Sequence, residues 1–214
     1  MKTMLNSLYD AFREKFDNNA KAWDNYLEFI AADHSPLILP QLNHKFEWLM
    51  EDSELVNKIF DIYKPHLLQN DRYDYLGDIY KENCVKEEYR DNFLIPHEVA
   101  QAHSVMTIGK TDKEINILEP MAQTGRRILM GYELAPNASY FGVESNLKLA
   151  RIALTNILIH NIKGYILHAN RHFHEIEMNE EFGKHNWQYC NKWYSQIDKL
   201  KPTLVDMPKQ NKQK

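Results

Sequence analysis

The sequence predicts an α/β protein. A helical region spans residues 1–90, parallel strands alternating with helices span residues 91–208, and a polar tail spans residues 209–214. Three observations predict it. Apolar residues in the first part recur at steps of three and four, the spacing of one helix face. From Ile115 to Asn170 the chain reads strand, tight turn, helix, strand with a terminal acid, helix, strand. The acids that end the first two strands, Glu119 and Glu144, are 25 positions apart. A parallel crossover needs a dozen or more residues, usually a helix, so that spacing suits a βαβ unit.

Taken in order, Leu5, Leu8, Phe12 and Phe16 mark the first helix, and Trp23, Tyr26, Leu27 and Ile30 continue the style. Ser35-Pro36 and Leu39-Pro40 interrupt it, because proline disfavours helix at the preceding residue. Asp52-Ser53-Glu54-Leu55 is a helix start, with Leu55, Ile59, Ile62 and Tyr63 periodic behind it and Pro65 beyond its end. Leu76, Ile79 and Tyr80 mark another helix. In the second part, strands are expected over about 115–119, 139–143 and 165–168, with helices from about 125 and 146. Residues 179–200 read as an aromatic helix carrying Trp187, Trp193 and Tyr194, best explained as cover for a sheet edge. Lys209 to Lys214 read as a disordered tail.

Composition bounds the function. At 214 residues the chain can bury a core without staples. Cys84 and Cys190 follow no metal spacing and read as reduced thiols, which points to a cytoplasmic protein. No stretch of 18 apolar residues exists, so no membrane partner is expected. A net charge of −4 does not fit attachment to nucleic acid by bulk electrostatics, although a local basic patch is compatible with it. His168, His172 and His174 are spaced suggestively, but Arg171 intervenes and no further ligands follow, so no metal site is expected.

The chemistry sits at the turn Pro120-Met121-Ala122-Gln123-Thr124-Gly125. In open α/β sheets ligands bind at the carboxyl ends of the strands. Glu144, ending the second strand, is placed to receive two ribose hydroxyls, and a turn opening a helix offers free N–H groups to a polar ligand. The pattern reads as an adenosine-type nucleotide or cofactor site, with an ordinary strand-end acid as the alternative for Glu144. Glu119 either lines it or only orients the loop.

Five segments together resemble the adenine-specific DNA methyltransferases, in particular the modification subunits of type I restriction systems. Tyr75-Leu76-Gly77-Asp78-Ile79-Tyr80 resembles the family's D-x-L-G-x-I-Y helix. Asn92-Phe93-Leu94-Ile95-Pro96-His97-Glu98-Val99-Ala100 resembles its G-x-F-[FY]-T-P-x-x-V-A segment. Leu118-Glu119-Pro120-Met121-Ala122-Gln123-Thr124-Gly125-Arg126 resembles its L-D-P-A-C-G-S-G-[RST] loop. Phe141-Gly142-Val143-Glu144, then Ala150, Ala153, Asn156 and His160-Asn161-Ile162, resemble G-x-E, A and N, and H-G-I. Ile166-Leu167-His168-Ala169-Asn170 stands where the family has a strand ending in Asp.

The resemblance implies an N-terminal helical bundle followed by a partial Rossmann-like class I methyltransferase fold with parallel strands. It implies S-adenosylmethionine as cofactor, held by Phe93, Pro96, Glu119, Pro120, Gly125, Glu144 and Asn170. DNA and a methyltransferase or restriction subunit are the implied partners.

Departures qualify this. Gln123 stands at a family glycine, Ala122 at its Cys and Asn170 at its Asp. The tetrad [DN]-P-P-[YF], which holds a flipped adenine, has no counterpart in these residues. Asp206-Met207-Pro208-Lys209 has an acid and one proline but no aromatic, so Asp206 is only a weak catalytic candidate. The strands and target-recognition region that follow in the family are also expected to be missing. The expectation is a degenerate methyltransferase-like protein, inactive alone, with cofactor binding weak or lost. The alternative is a non-catalytic binding or regulatory protein that engages DNA or a restriction-modification subunit, of phage or mobile-element type.

Overall fold

A computed structural model describes residues 1–34, 47–86, 89 and 93–168. Asn170, Asp206, His172, His174, Cys190 and the expected helix over 179–200 lie outside the described residues.

The helical region begins with α1 (Lys2–Lys15) and α2 (Asn19–Asp33). A short α3 (Glu47–Met50) precedes α4 (Ser53–Ile62). A 3-10 turn over Pro65–Asn70 leads to α5 (Tyr75–Cys84). Side-chain caps start three of these helices. Asn18 accepts the Ala20 N–H at 2.8 Å, Asp52 the Leu55 N–H at 3.0 Å and Asp74 the Gly77 N–H at 2.9 Å, satisfying donors a helix cannot satisfy itself. Leu5, Leu8 and Phe12 of α1 are buried against Trp23, Tyr26 and Leu27 of α2. Tyr9, Trp23 and Tyr26 meet with ring centroids 5.3–5.4 Å apart, and Tyr80 of α5 joins Trp23 at 5.0 Å. Such aromatic pairs contribute beyond the area they bury.

The second part comprises α6 (His97–Thr107), β1 (Asn116–Glu119), α7 (Arg126–Leu134), β2 (Ser139–Glu144), α8 (Leu147–Ile159) and β3 (Gly164–His168). The sheet order is β1-β2-β3, both pairs parallel. This is the 3-2-1 half of a doubly wound sheet. Each parallel pair is joined by a helix, as parallel pairing requires. The fold is therefore a helical N-terminal region joined to a partial Rossmann-like α/β sheet. The strand limits agree with those expected from sequence to within one residue.

Helix α8 joins the parts. It packs on β2 and β3 and also on α2, α5 and α7. Nine of its 13 residues are buried, so it is apolar nearly all round rather than along one stripe. One hydrophobic core consequently runs from Leu5 through Ile152 to Ile166.

Candidate functional site at the strand ends

Glu119 pairs in register with Gly142, so Glu144 ends its strand two residues beyond the end of β1. The loop from Pro120 to Gly125 lies between the two acids. Its backbone is fastened to β2 by the Ala122 N–H, which donates to the Val143 carbonyl at 2.8 Å. A tight turn follows, with the Gly125 N–H donating to the Ala122 carbonyl at 2.7 Å. Gly125 has φ +85°, and a Cβ there would stand 3.2 Å from the Ala153 Cα. Both features call for glycine, and they let α7 start against α8.

Both acids are buried, at 8% exposure for Glu119 and 6% for Glu144. Glu119 Oε1 accepts the Met121 N–H at 3.0 Å and Arg127 Nη2 at 2.6 Å. Arg127 Nη2 also donates to the Met121 carbonyl at 2.9 Å, so acid and arginine set the first half of the loop. Burial pushes the Glu119 carboxyl above the usual carboxylate range, and the Met121 N–H and Arg127 oppose that. Glu144 Oε2 accepts the Gln123 N–H at 2.9 Å, and Oε1 accepts the Asn146 N–H at 2.8 Å. The Ser145 hydroxyl also approaches Oε1, at 3.5 Å, so Oε2, with one bond, is the oxygen that keeps acceptor capacity among the described residues.

Gln123 occupies the position where the resembling loop has glycine. Its φ is +48°, the left-handed region that glycine enters without cost. Its side-chain Oε1 accepts the Ile95 N–H at 3.4 Å. The segment around Ile95 thus lies beside the loop. Phe93 is half-buried, with its ring centroid 5.9 Å from that of Tyr80, and Pro96 is exposed at the start of α6. Pro120 and Gly125 lie on the loop between Glu119 and Glu144, whereas Phe93 and Pro96 are tied to it only through their neighbour Ile95. Pro120 is exposed.

A second polar cluster lies behind the loop, and sequence reasoning missed its centre. Asp74 is fully buried. Its Oδ2 accepts Arg126 Nε at 3.2 Å and the Thr124 hydroxyl, and its Oδ1 accepts Asn156 Nδ2 at 2.8 Å besides the Gly77 N–H. Arg126 Nη2 also reaches Asp78 at 2.7 Å, and Nη1 donates to the Ile95 carbonyl at 2.6 Å. Asn156 Nδ2 donates as well to the Thr124 carbonyl at 2.8 Å. A Cβ on Gly77 would stand 2.2 Å from Asp74 Oδ2, so glycine makes room for the capping carboxylate. Burial pushes Asp74 upward, and Arg126, Thr124, Gly77 and Asn156 act against it.

Four of the five segments that carry the family resemblance meet in this cluster. They contribute Gly77 and Asp78, Ile95, Thr124 and Arg126, and Asn156. The available signal for Asp74 was its place immediately before an apolar-periodic run, where an N-cap is expected.

At the edge of the cluster, His97 stacks on Tyr73 with ring centroids 3.6 Å apart and planes 13° from parallel. The Tyr73 hydroxyl donates to Asp78 at 2.7 Å. Burial, helped by the Arg126 charge, pushes His97 down to about 4. Among the described residues no group of histidine, cysteine or acidic side chains could hold a metal ion, and no helix is long and apolar enough to cross a membrane.

The chain matches no protein-family model and no curated protein. Two solved structures resemble it. One is the methyltransferase subunit of a type I restriction-modification system from Streptococcus thermophilus, at 16% identity and a TM-score of 0.39. That match covers 59% of this chain and 28% of the other. The second is a Listeria monocytogenes structure assigned to the class I S-adenosylmethionine-dependent methyltransferases, at 14% identity and a TM-score of 0.45. It covers 80% of this chain and 55% of that one. The chain thus spans little more than a quarter to about half the length of these neighbours. What establishes the fold is the order and direction of the strands and the crossovers between them.

Proposed function

We propose that this chain is a degenerate S-adenosylmethionine-dependent, adenine-specific DNA methyltransferase-like protein, which binds its cofactor weakly and does not transfer a methyl group alone. The observation that carries this reading is the Glu144 carboxylate. It is buried at the end of β2, is tied to the loop by the Gln123 N–H and to the start of α8 by the Asn146 N–H, and retains acceptor capacity on Oε2. An acid so placed suits the hydroxyls of a ribose. Gly125, Pro120 and Glu119 shape the loop that would face the rest of the cofactor, Phe93 and Pro96 flank it, and Asn170 would meet the adenine. The chemistry that such a cofactor supplies is an electrophilic methyl group. The residues of this chain would bind and orient the cofactor, without the [DN]-P-P-[YF] tetrad that supplies an aromatic platform for a flipped base.

A second reading is favoured by Gln123 and by the absence of a [DN]-P-P-[YF] tetrad from these 214 residues. It is a non-catalytic binding or regulatory protein that engages DNA or a restriction-modification subunit. Calorimetric titration with S-adenosylmethionine and S-adenosylhomocysteine separates the two. Weak binding of either supports the cofactor site, whereas heat no different from dilution for both leaves only the interaction reading. Labelled S-adenosylmethionine should leave no tritium in DNA above background with the purified chain alone. Robust incorporation that vanishes in Asp206→Ala would overturn the inactive reading and make Asp206 catalytic. Incorporation only on adding a second subunit would point to a split enzyme.

A further inference from the structure

Residues 93–97 are pinned at three places. Phe93 meets Tyr80, and His97 stacks on Tyr73. Between them the backbone of Ile95 is gripped on both polar groups, its carbonyl by Arg126 Nη1 at 2.6 Å and its N–H by Gln123 Oε1 at 3.4 Å. The arginine belongs to the buried scaffold, since Arg126 is itself held by Asp74 and Asp78, and the outer two pins are ring contacts made by the partly buried Phe93 and His97. The Gln123 pin differs. It is long for a hydrogen bond, and it comes from a residue held at φ +48°. The same residue donates its N–H to Glu144 at 2.9 Å. One side chain and its own backbone therefore join the strap at residues 93–97 to the acid at the end of β2.

We infer that Gln123 is a latch, a positioning residue that fastens the 93–97 strap to the loop and restrains entry of an adenosine-type ligand to Glu144. This rests on the cofactor site proposed above and adds its regulation. A glycine at this position would keep the positive φ and the N–H to Glu144 while removing the pin. An asparagine would tolerate the same φ but fall one methylene short of Ile95.

The test compares the full-length wild type with Gln123→Gly and Gln123→Asn. Amide exchange is followed over the peptide that contains Ile95, without ligand, and S-adenosylhomocysteine is titrated by calorimetry. The latch predicts faster exchange at Ile95 in both variants, with exchange over α2 unchanged. It also predicts binding that tightens by about two- to tenfold, the worth of one ordinary hydrogen bond. Exchange at Ile95 that does not change in either variant overturns the latch. Faster exchange with unchanged binding overturns its control of entry, and faster exchange with weaker binding overturns it and makes Gln123 a ligand contact instead. Faster exchange with no binding by any of the three proteins removes the cofactor site, and with it the control of entry, leaving only a structural tie.

Discussion

Two clusters of buried polar groups lie on opposite sides of one six-residue loop, and they are built differently. Behind the loop, Asp74 and Arg126 are closed in. Asp74 has 0% exposure and Arg126 has 5%, and protein groups bond to both oxygens of the one and to three nitrogens of the other. In front of the loop, Glu119 and Glu144 stand at strand ends, where open α/β sheets take ligands, and each accepts one backbone N–H of the loop besides donors from the helix starts that follow. The difference separates two meanings of a motif. Residues such as Gly77, Thr124, Arg126 and Asn156 resemble a methyltransferase because they hold the helical region against the sheet. Glu144, on the proposed function, resembles one because of what it would offer a ligand. A chain can keep the first set while altering the second, and Gln123 shows such an alteration.

The comparison breaks most visibly at Asp74. Replacing it with Ala leaves Arg126 buried with only Asp78 as a charged partner. Removing one partner of a buried pair typically costs about 3–5 kcal/mol, so urea denaturation should show a loss of that order. A midpoint within error of wild type would mean that the cluster does not hold the two parts together. Asn156→Ala should cost less, about 1–3 kcal/mol, because it strips one bond from Asp74 and one from the Thr124 carbonyl in a buried place.

A smaller effect should appear on acidification. His97 has a folded pKa of about 4, below its ordinary value near 6.5. Between those values the unfolded chain binds more protons at this site than the folded one. Its contribution is therefore complete above about pH 6.5 and is lost as pH falls toward 4. His97 is partly exposed, so solvent screening keeps the effect to a few degrees or less. Each kcal/mol moves the melting temperature of a chain this size by about 2–4 °C. Melting curves from pH 7 to 4.5 should show a shallower slope for His97→Gln than for wild type. Parallel slopes would place the histidine outside the scaffold's electrostatics.

Much of the fold was legible because it is written in local patterns. The apolar stripe of Leu5, Leu8 and Phe12, the cap at Asp52 and the acid ending each of the first two strands are signals within a few residues of one another. Phe16 illustrates the limit. It shares the α1 spacing, yet it caps the helix and is only partly buried, against Trp48. The places of Glu119 and Glu144 at strand ends and of Gly125 at a helix start were legible, because strand pattern and loop composition determine them. Asp74 was not, because its partners Arg126 and Asn156 are 52 and 82 positions away. Periodicity reports which face of an element is apolar, not which distant groups it meets. The tie between Gln123 and Ile95 was hidden for the same reason, although the missing glycine marked the position.

The most direct measurement is the dissociation constant for S-adenosylmethionine, by calorimetry, in wild type and Glu144→Ala, with melting temperatures recorded on the same samples. Loss of a charged hydrogen bond often costs about 1.5–3 kcal/mol. Binding should therefore weaken by about tenfold or more, while the melting temperature falls less than in Asp74→Ala. An unchanged dissociation constant would contradict the ribose role of Glu144 and with it the division between a scaffold behind the loop and a ligand face in front of it.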